Sequence, residues 1–237
     1  MSQTCILILA RGGSKGIPKK NMVHFMNQPL VCHCITVAKQ VDGVDAVWVS
    51  TDDEAISRAS SAAGALVHRR SAKTCTDTAT SVGAVLEFLG DQPEVETLAL
   101  LQCTSPLTLP EDVCRALQLV RAGGYDSVFS LVRRAPSLRW RDTGAGDLEP
   151  ANFDPRCRPR RQDMTSELVE SGNFYVTRAA LVRQERQLQA GRRWYVEVSE
   201  ESAVDIDTPV DLAVARALAG ARWPAQADGV DPAPAPL

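Results

Sequence analysis

Short apolar runs alternate with helix-like segments along most of this chain, and this alternation restricts the fold more than any other feature. The first run, Thr4–Ala10, has the length of a strand, and a helix is predicted from Pro29. Further strand-like runs are Ala46–Ser50, Ala65–His68, Thr97–Leu101, Asp126–Val132, Gly172–Thr177 and Trp194–Val198. Further helices are predicted from Asp53, over Thr78–Leu89, from about Pro110 and over Pro209–Ala219. The pattern predicts an α/β fold with a mainly parallel sheet and helices on both faces, and ligands bind such sheets outside the carboxyl ends of the strands.

The size and charge of the chain exclude several classes of protein. At 237 residues, of which 44% are hydrophobic, it can form one domain with a real core. A net charge of −3 argues against a general nucleic-acid binder, and no apolar run approaches the length of a membrane span. Residues 1–10 are too short and uncharged for a signal peptide. We therefore expect an intracellular protein, nuclear or cytoplasmic, without a nucleic-acid or membrane partner.

The seven cysteines are an odd number and include no Cys-x-x-Cys pair. This spacing encodes neither a disulfide framework nor a structural zinc site. Cys32-His33-Cys34 resembles a set of metal ligands, but it falls in Pro29–Gln40, a predicted helix in which neighbouring side chains point in different directions. Reduced thiols are therefore expected at these positions.

Residues 135–171 interrupt the alternation. They are rich in Pro, Arg, Gly and Asp and show little periodic apolar content. A loop of this length inside a compact domain is usually functional or reaches into a partner. The domain is predicted to span residues 1–220, and the Pro/Ala-rich residues 221–237 are predicted to form a disordered tail because they offer nothing to pack.

The loop Arg11–Asn21, directly after the first strand, combines three glycines with four basic side chains. Glycines allow backbone N–H groups to approach a ligand closely, and Lys and Arg neutralise it, so the loop is suited to a chain of phosphates. It lacks the Gly-Lys-Ser/Thr ending of a Walker loop, because Gly16 follows Lys15, and it lacks the dinucleotide pattern of spaced glycines. A basic surface turn is the alternative interpretation.

Two further groups of polar residues follow predicted strands. Arg69-Arg70 precedes Asp77-Thr-Ala-Thr-Ser81, whose hydroxyls suit either the cap of the next helix or an anion at its N-terminus. In Val204–Pro209, Asp205 and Asp207 point to the same face if the segment is extended. Mg²⁺ is typically held by one or two carboxylates together with substrate phosphates. The alternative is that Asp207 only caps the following helix.

The segment Arg156–Gln162 contains four arginines within the irregular region. Guanidinium groups at this density favour a phosphate or carboxylate clamp or a nuclear localisation signal. A solvated arginine run is the alternative.

These motifs together resemble the acylneuraminate cytidylyltransferases, which are the CMP-sialic acid synthetases. They follow the family's order from residue 5 to about residue 218. Two of them, His68-Arg-Arg and Arg158–Asp163, resemble the animal branch more closely. The matching segments are Ala10–Asn21, Val47–Asp52, Val67–Ser71, Gln102–Pro106, Tyr125–Ser130, Arg158–Asp163 and Val204–Asp207. The resemblance implies a three-layer α/β/α nucleotidyltransferase (Rossmann-like) fold with residues 135–171 as an inserted dimerisation segment.

The resemblance also implies a role for each matching position. The residues that would hold CTP are Arg11, Gly12, Ser14, Lys15, Lys20, Asn21, Arg70, Ser81 and Gln102. Those that would hold the sugar are Gln102, Arg161, Gln162 and Asp205. Mg²⁺ would bind Asp205 and Asp207, and Arg160, Lys20 and Asp207 would be catalytic. The family implies a homodimer or a dimer of dimers in which the insertion reaches the partner subunit.

The implied reaction converts CTP and an N-acylneuraminate to CMP-N-acylneuraminate and diphosphate. The alternatives are a cytidylyltransferase for another acid sugar, such as KDN, legionaminic acid, pseudaminic acid or KDO, and a non-catalytic nucleotide-binding relative. Ala79 replaces a serine that is usual in animal members, and Met164-Thr-Ser166 replaces the family's Trp-Asp-Gly. The first departure removes one hydroxyl contact to CTP, and the second changes the insertion.

Overall fold

The computed structural model describes residues 3–223, and its strands and helices lie close to the predicted runs. The strands are β1 Gln3–Leu9, β2 His24–Phe25, β3 Gln28–Pro29, β4 Ala46–Thr51, β5 Leu66–Arg69, β6 Val95–Leu101, β7 Ser127–Arg134, β8 Trp140–Asp142, β9 Leu148–Pro150, β10 Glu167–Arg178 and β11 Arg193–Val198. The helices are α1 Leu30–Ala38, α2 Glu54–Ala62, α3 Ser81–Asp91, α4 Pro110–Arg121, α5 Ala179–Glu185 and α6 Pro209–Arg222.

Seven strands form one sheet in the order β11-β7-β10-β6-β1-β4-β5. All neighbouring pairs are parallel except those of β10, which runs antiparallel to both β6 and β7. The predicted α/β class with a mainly parallel sheet is therefore confirmed. Two small antiparallel pairs, β2 with β3 and β8 with β9, lie outside this sheet.

The core has two layers, one on each face of the sheet. Side chains of β1 alternate between them, so that Ile6 and Ile8 pack with α1, α2, α4 and α6, whereas Cys5 and Leu7 pack with α3 and α5. Five consecutive residues of β1, from Thr4 to Ile8, are buried, as expected for a strand covered on both faces. The predicted three-layer α/β/α arrangement is confirmed.

Short polar side chains fix where several helices begin. Asp53 accepts hydrogen bonds from the backbone N–H groups of Ala55 and Ile56 at the start of α2, and Thr80 accepts one from Gly83 in α3. Thr208 and Asp211 form a capping box at the start of α6, with Pro209 in its first turn. The alternative that Asp207 caps this helix is therefore wrong, and the Asp207 carboxylate serves another purpose.

Among the predicted boundaries that differ from the structure, two change the extent of the insertion and of the domain. Strand β10 begins at Glu167, within the predicted irregular segment 135–171, because its first residues pair with the end of β7, where Glu167 lies opposite Arg134. Helix α6 continues to Arg222, beyond the predicted domain end at residue 220, because the Arg222 guanidinium donates to the Leu107 carbonyl oxygen at 3.2 Å. The remainder of the predicted tail, residues 224–237, lies outside the described residues.

The cysteines are free thiols, as predicted, and two of the three histidines are buried. All seven cysteines are free, and Cys32 and Cys34 are buried in α1. His33 bonds to the Pro106 carbonyl oxygen through Nε2 at 2.8 Å, and His68 is buried between Ser50 and Asp91. Among residues 3–223, no helix combines the length and the apolar character that crossing a membrane requires.

Candidate active site

A cavity of about 370 Å³ lies where the chain leaves the carboxyl ends of β1, β5 and β6. Its position is the one predicted for a ligand of a parallel sheet. The predicted site residues that line it are Arg11, Ser14, Lys15, Lys20, Asn21, Arg70, Ser81, Gln102 and Asp207. These residues come from four separate parts of the sequence. We call this cavity the first cavity.

The first loop, residues 11–21, is held in shape by its own polar contacts. Asn21 is buried, and its Nδ2 donates to the Arg11 carbonyl oxygen at 3.0 Å. The Gly12 backbone N–H donates to Asp52 Oδ1 at 2.9 Å, so Gly12 supports the loop beside the cavity without lining it. At Gly16 a Cβ atom would lie 2.3 Å from the Asp207 backbone oxygen, so only glycine fits there without a shift.

Lys20 connects the first loop to the segment before α6. Its Nζ donates to Asp207 Oδ1 and to the Ile206 carbonyl oxygen, both at 2.8 Å. The Lys20 side chain is 15% exposed, whereas that of Asp207 is 71% exposed. A cation and a carboxylate thus stand at the edge of the same cavity, and water reaches Asp207.

Asp205 and Asp207 are close enough to affect each other's charge, although Asp205 does not line the first cavity. Partial burial raises the pKa of Asp205, a hydrogen bond from Thr104 opposes this rise, and the negative charges of Asp207 and Asp211 reinforce it. A carboxylate pair of this kind favours a bound cation, because a cation relieves the repulsion.

Asp77 is a site residue that the sequence reasoning missed. Its carboxylate forms ion pairs with Arg11 Nη1 at 2.9 Å and with Lys15 Nζ at 2.7 Å, and it lines the first cavity. Hydrogen bonds from Lys15 and Arg11 hold the pKa of Asp77 below its ordinary value. Asp77 is the first residue of the hydroxyl-rich segment, for which the sequence predicts only a helix cap or an anion site. Its acidic side chain is the sequence signal that indicates a partner for the basic first loop.

Arg70 reaches the first cavity from the loop after β5. Its Nε donates to Thr74 Oγ1 at 3.3 Å, and its Nη2 donates to the Thr74 carbonyl oxygen. Partial burial lowers the pKa of the Arg70 guanidinium, although nearby acidic groups oppose the shift. Arg70 stays charged because an arginine pKa lies far above neutral pH.

A second cavity, of about 460 Å³, adjoins the first and shares Ser81 and Gln102 with it. Aromatic and polar side chains from β7, β10, the segment after α5 and the start of β11 line this second cavity: Phe129, Glu170, Tyr175, Arg186, Gln189 and Arg193. Glu170 accepts hydrogen bonds from the Tyr175 hydroxyl at 2.5 Å and from Gln189 Nε2 at 3.1 Å. The sequence reasoning assigned Gln102 to the meeting point of two ligands but named none of the other residues, because they come from elements that meet only in the fold.

The arginine run lies apart from the first cavity within the described chain. Arg158, Arg160 and Arg161 line a third cavity, of about 680 Å³, together with residues 136–138, Pro159 and Met164. Arg160 donates to both carboxylate oxygens of Asp163, at 2.8 and 3.2 Å. Gln162 lines none of these three cavities. A single chain therefore does not bring these predicted site residues to Lys20.

Residues 3–223 contain no group of three or more His, Cys, Asp or Glu side chains arranged to hold a metal ion. The pair Asp205 and Asp207 supplies two carboxylates, which suits a cation that takes its other ligands from a phosphate substrate and water. The donor set thus fits the predicted divalent cation.

A family model described as "Cytidylyltransferase" matches residues 5–140. The chain belongs to the cytidylyltransferase family. It is 43% identical over 212 residues to N-acylneuraminate cytidylyltransferase A of Danio rerio, and the match covers 88% of this chain and 49% of the relative. It is also 43% identical over 213 residues to N-acylneuraminate cytidylyltransferase of Oncorhynchus mykiss, with 88% and 48% covered. The cytidylyltransferase resemblance read from the motifs is confirmed, and the chain spans about half the length of these curated relatives.

The fold of this cytidylyltransferase is also found in a solved structure. A CMP:2-keto-3-deoxy-manno-octonic acid synthetase complexed with CTP superimposes with a TM-score of 0.70 and 22% sequence identity. The match covers 94% of this chain and 100% of that chain. The predicted nucleotidyltransferase fold is therefore confirmed.

Proposed function

We propose that this cytidylyltransferase transfers CMP from CTP to an N-acylneuraminate and releases diphosphate. One observation carries the proposal: the first cavity presents Arg11, Lys15, Lys20 and Arg70 to one ligand and opens, through Ser81 and Gln102, into a second cavity for another. Four cations suit a triphosphate. The names of the relatives from Danio rerio and Oncorhynchus mykiss support the choice of sugar. The catalytic domain is proposed to comprise the predicted residues 1–220, extended to the end of α6 at Arg222.

The nucleotide is proposed to occupy the first cavity. Arg11, Lys15 and Lys20 neutralise the triphosphate, and Ser14 borders it, while Gly12 supports the first loop through Asp52. Asn21 holds this loop against Arg11, while Arg70 and Ser81 complete the nucleotide site from the other side of the cavity. Ala79 also lines the cavity and offers a methyl group in place of a hydroxyl, so binding rests on the remaining groups.

The acid sugar is proposed to occupy the second cavity. Arg186 and Arg193 supply positive charge for its carboxylate, and Phe129 and Tyr175 supply flat apolar surface for its carbon skeleton. Burial and the neighbouring Glu170 raise the pKa of Tyr175, so the Tyr175 hydroxyl stays protonated and donates to Glu170. Gln102 lies between the two cavities and can contact both ligands.

The reaction joins the sugar C2 hydroxyl oxygen to the α-phosphorus of CTP. The bond from the α-phosphorus to the bridging oxygen breaks, diphosphate leaves, and the hydroxyl proton passes to solvent. Negative charge grows on the phosphate oxygens, so Lys20 and Arg11 accelerate the step by positioning and electrostatic stabilisation. The three histidines do not line the first cavity, and none is assigned as a base.

A magnesium ion is proposed to bind at Asp205 and Asp207. When bound, it neutralises phosphate oxygens and acts as a Lewis acid. Asp207 has a second task in this chain, since it also pairs with Lys20 and holds that ammonium group at the cavity edge.

A homodimer, alone or as a dimer of dimers, is proposed to complete the site. Arg160, with Arg161 and Gln162 beside it, lies far from Lys20 in sequence and outside the first cavity of its own chain. Residues 135–171 would carry these side chains to the partner's sugar, with Arg160 as a catalytic cation. Location in the nucleus or the cytosol stays a prediction from the sequence.

The proposal is tested by measuring diphosphate release with CTP and Mg²⁺ across a panel of acid sugars. N-acetylneuraminate is expected to give the highest kcat/KM, with KDN, legionaminic acid, pseudaminic acid and KDO as competitors. A higher kcat/KM for one of these sugars would make it the preferred substrate, while the reaction would still be a cytidylyl transfer to an acid sugar. Zero turnover with every sugar would overturn the proposal in favour of a non-catalytic nucleotide-binding protein.

Neighbouring lysines provide a matched pair of variants for the same assay. Lys20→Ala is expected to lower kcat by roughly two or more orders of magnitude, because Lys20 is the cation fixed at the phosphates. Lys19→Ala removes the same charge one residue away, from a side chain that does not line the first cavity, and should leave kcat within about twofold. Equal losses in both variants would contradict the role of Lys20.

A further inference from the structure

The β5–α3 loop, residues 70–80, carries several groups of the first cavity but buries little of itself. Arg70, Asp77 and Ala79 line the cavity, and Ser81 follows directly. Most residues between Arg70 and Asp77 are exposed. A segment with so little buried apolar surface is ordered by its hydrogen bonds.

Glu87 of α3 accepts the hydrogen bonds that hold the beginning of this loop. Its Oε1 accepts from the Ser71 backbone N–H at 2.6 Å, and its Oε2 accepts from Ser71 Oγ at 2.9 Å. Thr74 Oγ1 also donates to Oε2. The next residue along the helix, Phe88, is fully buried, so the core fixes the backbone from which the Glu87 side chain extends.

Thr74 links Glu87 to the cavity, because its hydroxyl and carbonyl oxygens also accept hydrogen bonds from the Arg70 guanidinium. Partial burial acts to raise the pKa of Glu87, but hydrogen bonds from Thr74 and Ser71 outweigh it and hold the pKa below its ordinary value. Glu87 is therefore a carboxylate at neutral pH, and hydrogen bonds to a charged acceptor are the stronger kind.

The other end of the loop is held differently. Arg11 donates to the Cys75 carbonyl oxygen at 3.1 Å and to Asp77, and Lys15 pairs with Asp77. These are cations that the proposed function assigns to the triphosphate. Phosphate oxygens therefore compete with Asp77 for them, whereas no group assigned to CTP bonds to Glu87.

We propose that Glu87 is a positioning residue that fixes Arg70 for CTP through Ser71 and Thr74. The inference rests on the proposed function, since it presumes that CTP binds in the first cavity. Glu87 does not line that cavity and does not touch the substrate; it acts through the loop.

The first test measures CTP affinity by calorimetry without any sugar, in Glu87→Gln and in Glu94→Gln as the matched control. Glu94 is an exposed glutamate just after α3 and lines neither the first nor the second cavity. We expect the CTP dissociation constant to rise roughly tenfold in Glu87→Gln and to stay within twofold in Glu94→Gln. The KM for the sugar should remain that of the parent, whereas a merely structural role would change kcat and both KM values together. The thermal midpoint should fall slightly, because a carboxylate whose pKa lies below its ordinary value supports folding.

The second test approaches the same contact from the loop. Thr74→Val removes the donor to Glu87 and should weaken CTP binding to a similar degree, and the double variant should bind no more weakly than the weaker single variant. Lys73 lies between Ser71 and Thr74 and reports on the loop itself. Trypsin cleavage after Lys73, followed by mass spectrometry, should accelerate severalfold in Glu87→Gln and not in Glu94→Gln.

Parental CTP affinity in Glu87→Gln, or fully additive losses in the double variant, would overturn the inference. So would a variant in which kcat and both KM values change together. The proposed function fails separately: a parent chain that binds CTP but turns over no sugar refutes the proposed reaction, while the affinity comparison still decides the role of Glu87. A parent that does not bind CTP overturns both.

Discussion

Asp205 and Asp211 are carboxylates on one short segment whose environments shift their pKa values in opposite directions. Burial raises the pKa of Asp205 from 3.8, a shift that Thr104 opposes and Asp207 reinforces, so its charge opposes folding at neutral pH. Hydrogen bonds from Thr208 and the Asp207 backbone N–H lower the pKa of Asp211, so its charge supports folding. The contribution of Asp211 is lost as the pH falls below 3.8 through its folded pKa, whereas the penalty at Asp205 disappears earlier, as the pH falls through its raised folded pKa towards 3.8.

Asp205→Asn is therefore expected to raise the thermal midpoint near neutral pH while it removes activity. The gain should be ~1–2 °C, because the burial of this carboxyl is only partial and water screens its charge. Asp211→Asn, its control, should lower the midpoint. The Asp205→Asn gain should shrink as the pH approaches 3.8 and as Mg²⁺ is added to the parent. Differential scanning fluorimetry of the parent and both variants, across pH and with added Mg²⁺, measures these midpoints. A destabilised Asp205→Asn would contradict the raised pKa assigned to Asp205.

At the scale of single residues, the sequence indicated groups that line a cavity better than groups that hold them in place. Arg11, Lys20, Arg70 and Gln102 line the first cavity, and their contacts with a ligand stay a prediction. Glu87 escaped prediction because it acts through a loop, and helical spacing alone does not show which loop lies above it. Contacts between elements are created by tertiary packing, which no local pattern in one sequence encodes.

At the scale of elements, the first loop and the segment before α6 meet backbone to backbone. Gly16→Ala would place a Cβ atom 2.3 Å from the Asp207 oxygen, so one of the two segments must move. That shift disturbs the Lys20–Asp207 pair, and kcat is expected to fall at least about tenfold. Gly13→Ala is the matched control in the same loop, since a Cβ there meets nothing within 4 Å. Steady-state assays distinguish the two, and equal kcat values would show that the close approach does not matter.

The predicted elements were right where burial gives a strong pattern and less accurate where pairing alone orders the chain. The buried runs of β1, β4 and β6 were found within two residues of their ends. The start of β10 was missed because Leu168 and Val169 are both more than a third exposed and do not alternate between a buried and a solvent-facing side chain. This part of the strand is held by backbone hydrogen bonds to β7, which leave no alternation of apolar and polar residues.

At the scale of the whole molecule, the predicted catalytic residues lie on two separate parts of the chain. Lys20 and Asp207 border the first cavity, whereas Arg160 belongs to the third cavity and pairs with Asp163. Trp140 and Leu148, on the hairpin of β8 and β9, are each more than half exposed. A symmetric dimer would cover such apolar groups and could bring Arg160 of one protomer to Lys20 of its partner.

Co-expression of two inactive variants tests this arrangement. If Arg160 acts across the dimer, Lys20→Ala and Arg160→Ala together leave one intact site in each mixed dimer. Random pairing makes half of the dimers mixed, so activity should return to roughly a quarter of the parental value. Lys20→Ala with Asp207→Asn is the matched control, because both changes fall in the same site and every dimer stays inactive. Differently tagged copies, purified in tandem, isolate the mixed dimer, which should then show about half of the parental activity. Recovery in both pairs, or in neither, would exclude an Arg160 supplied by the partner subunit.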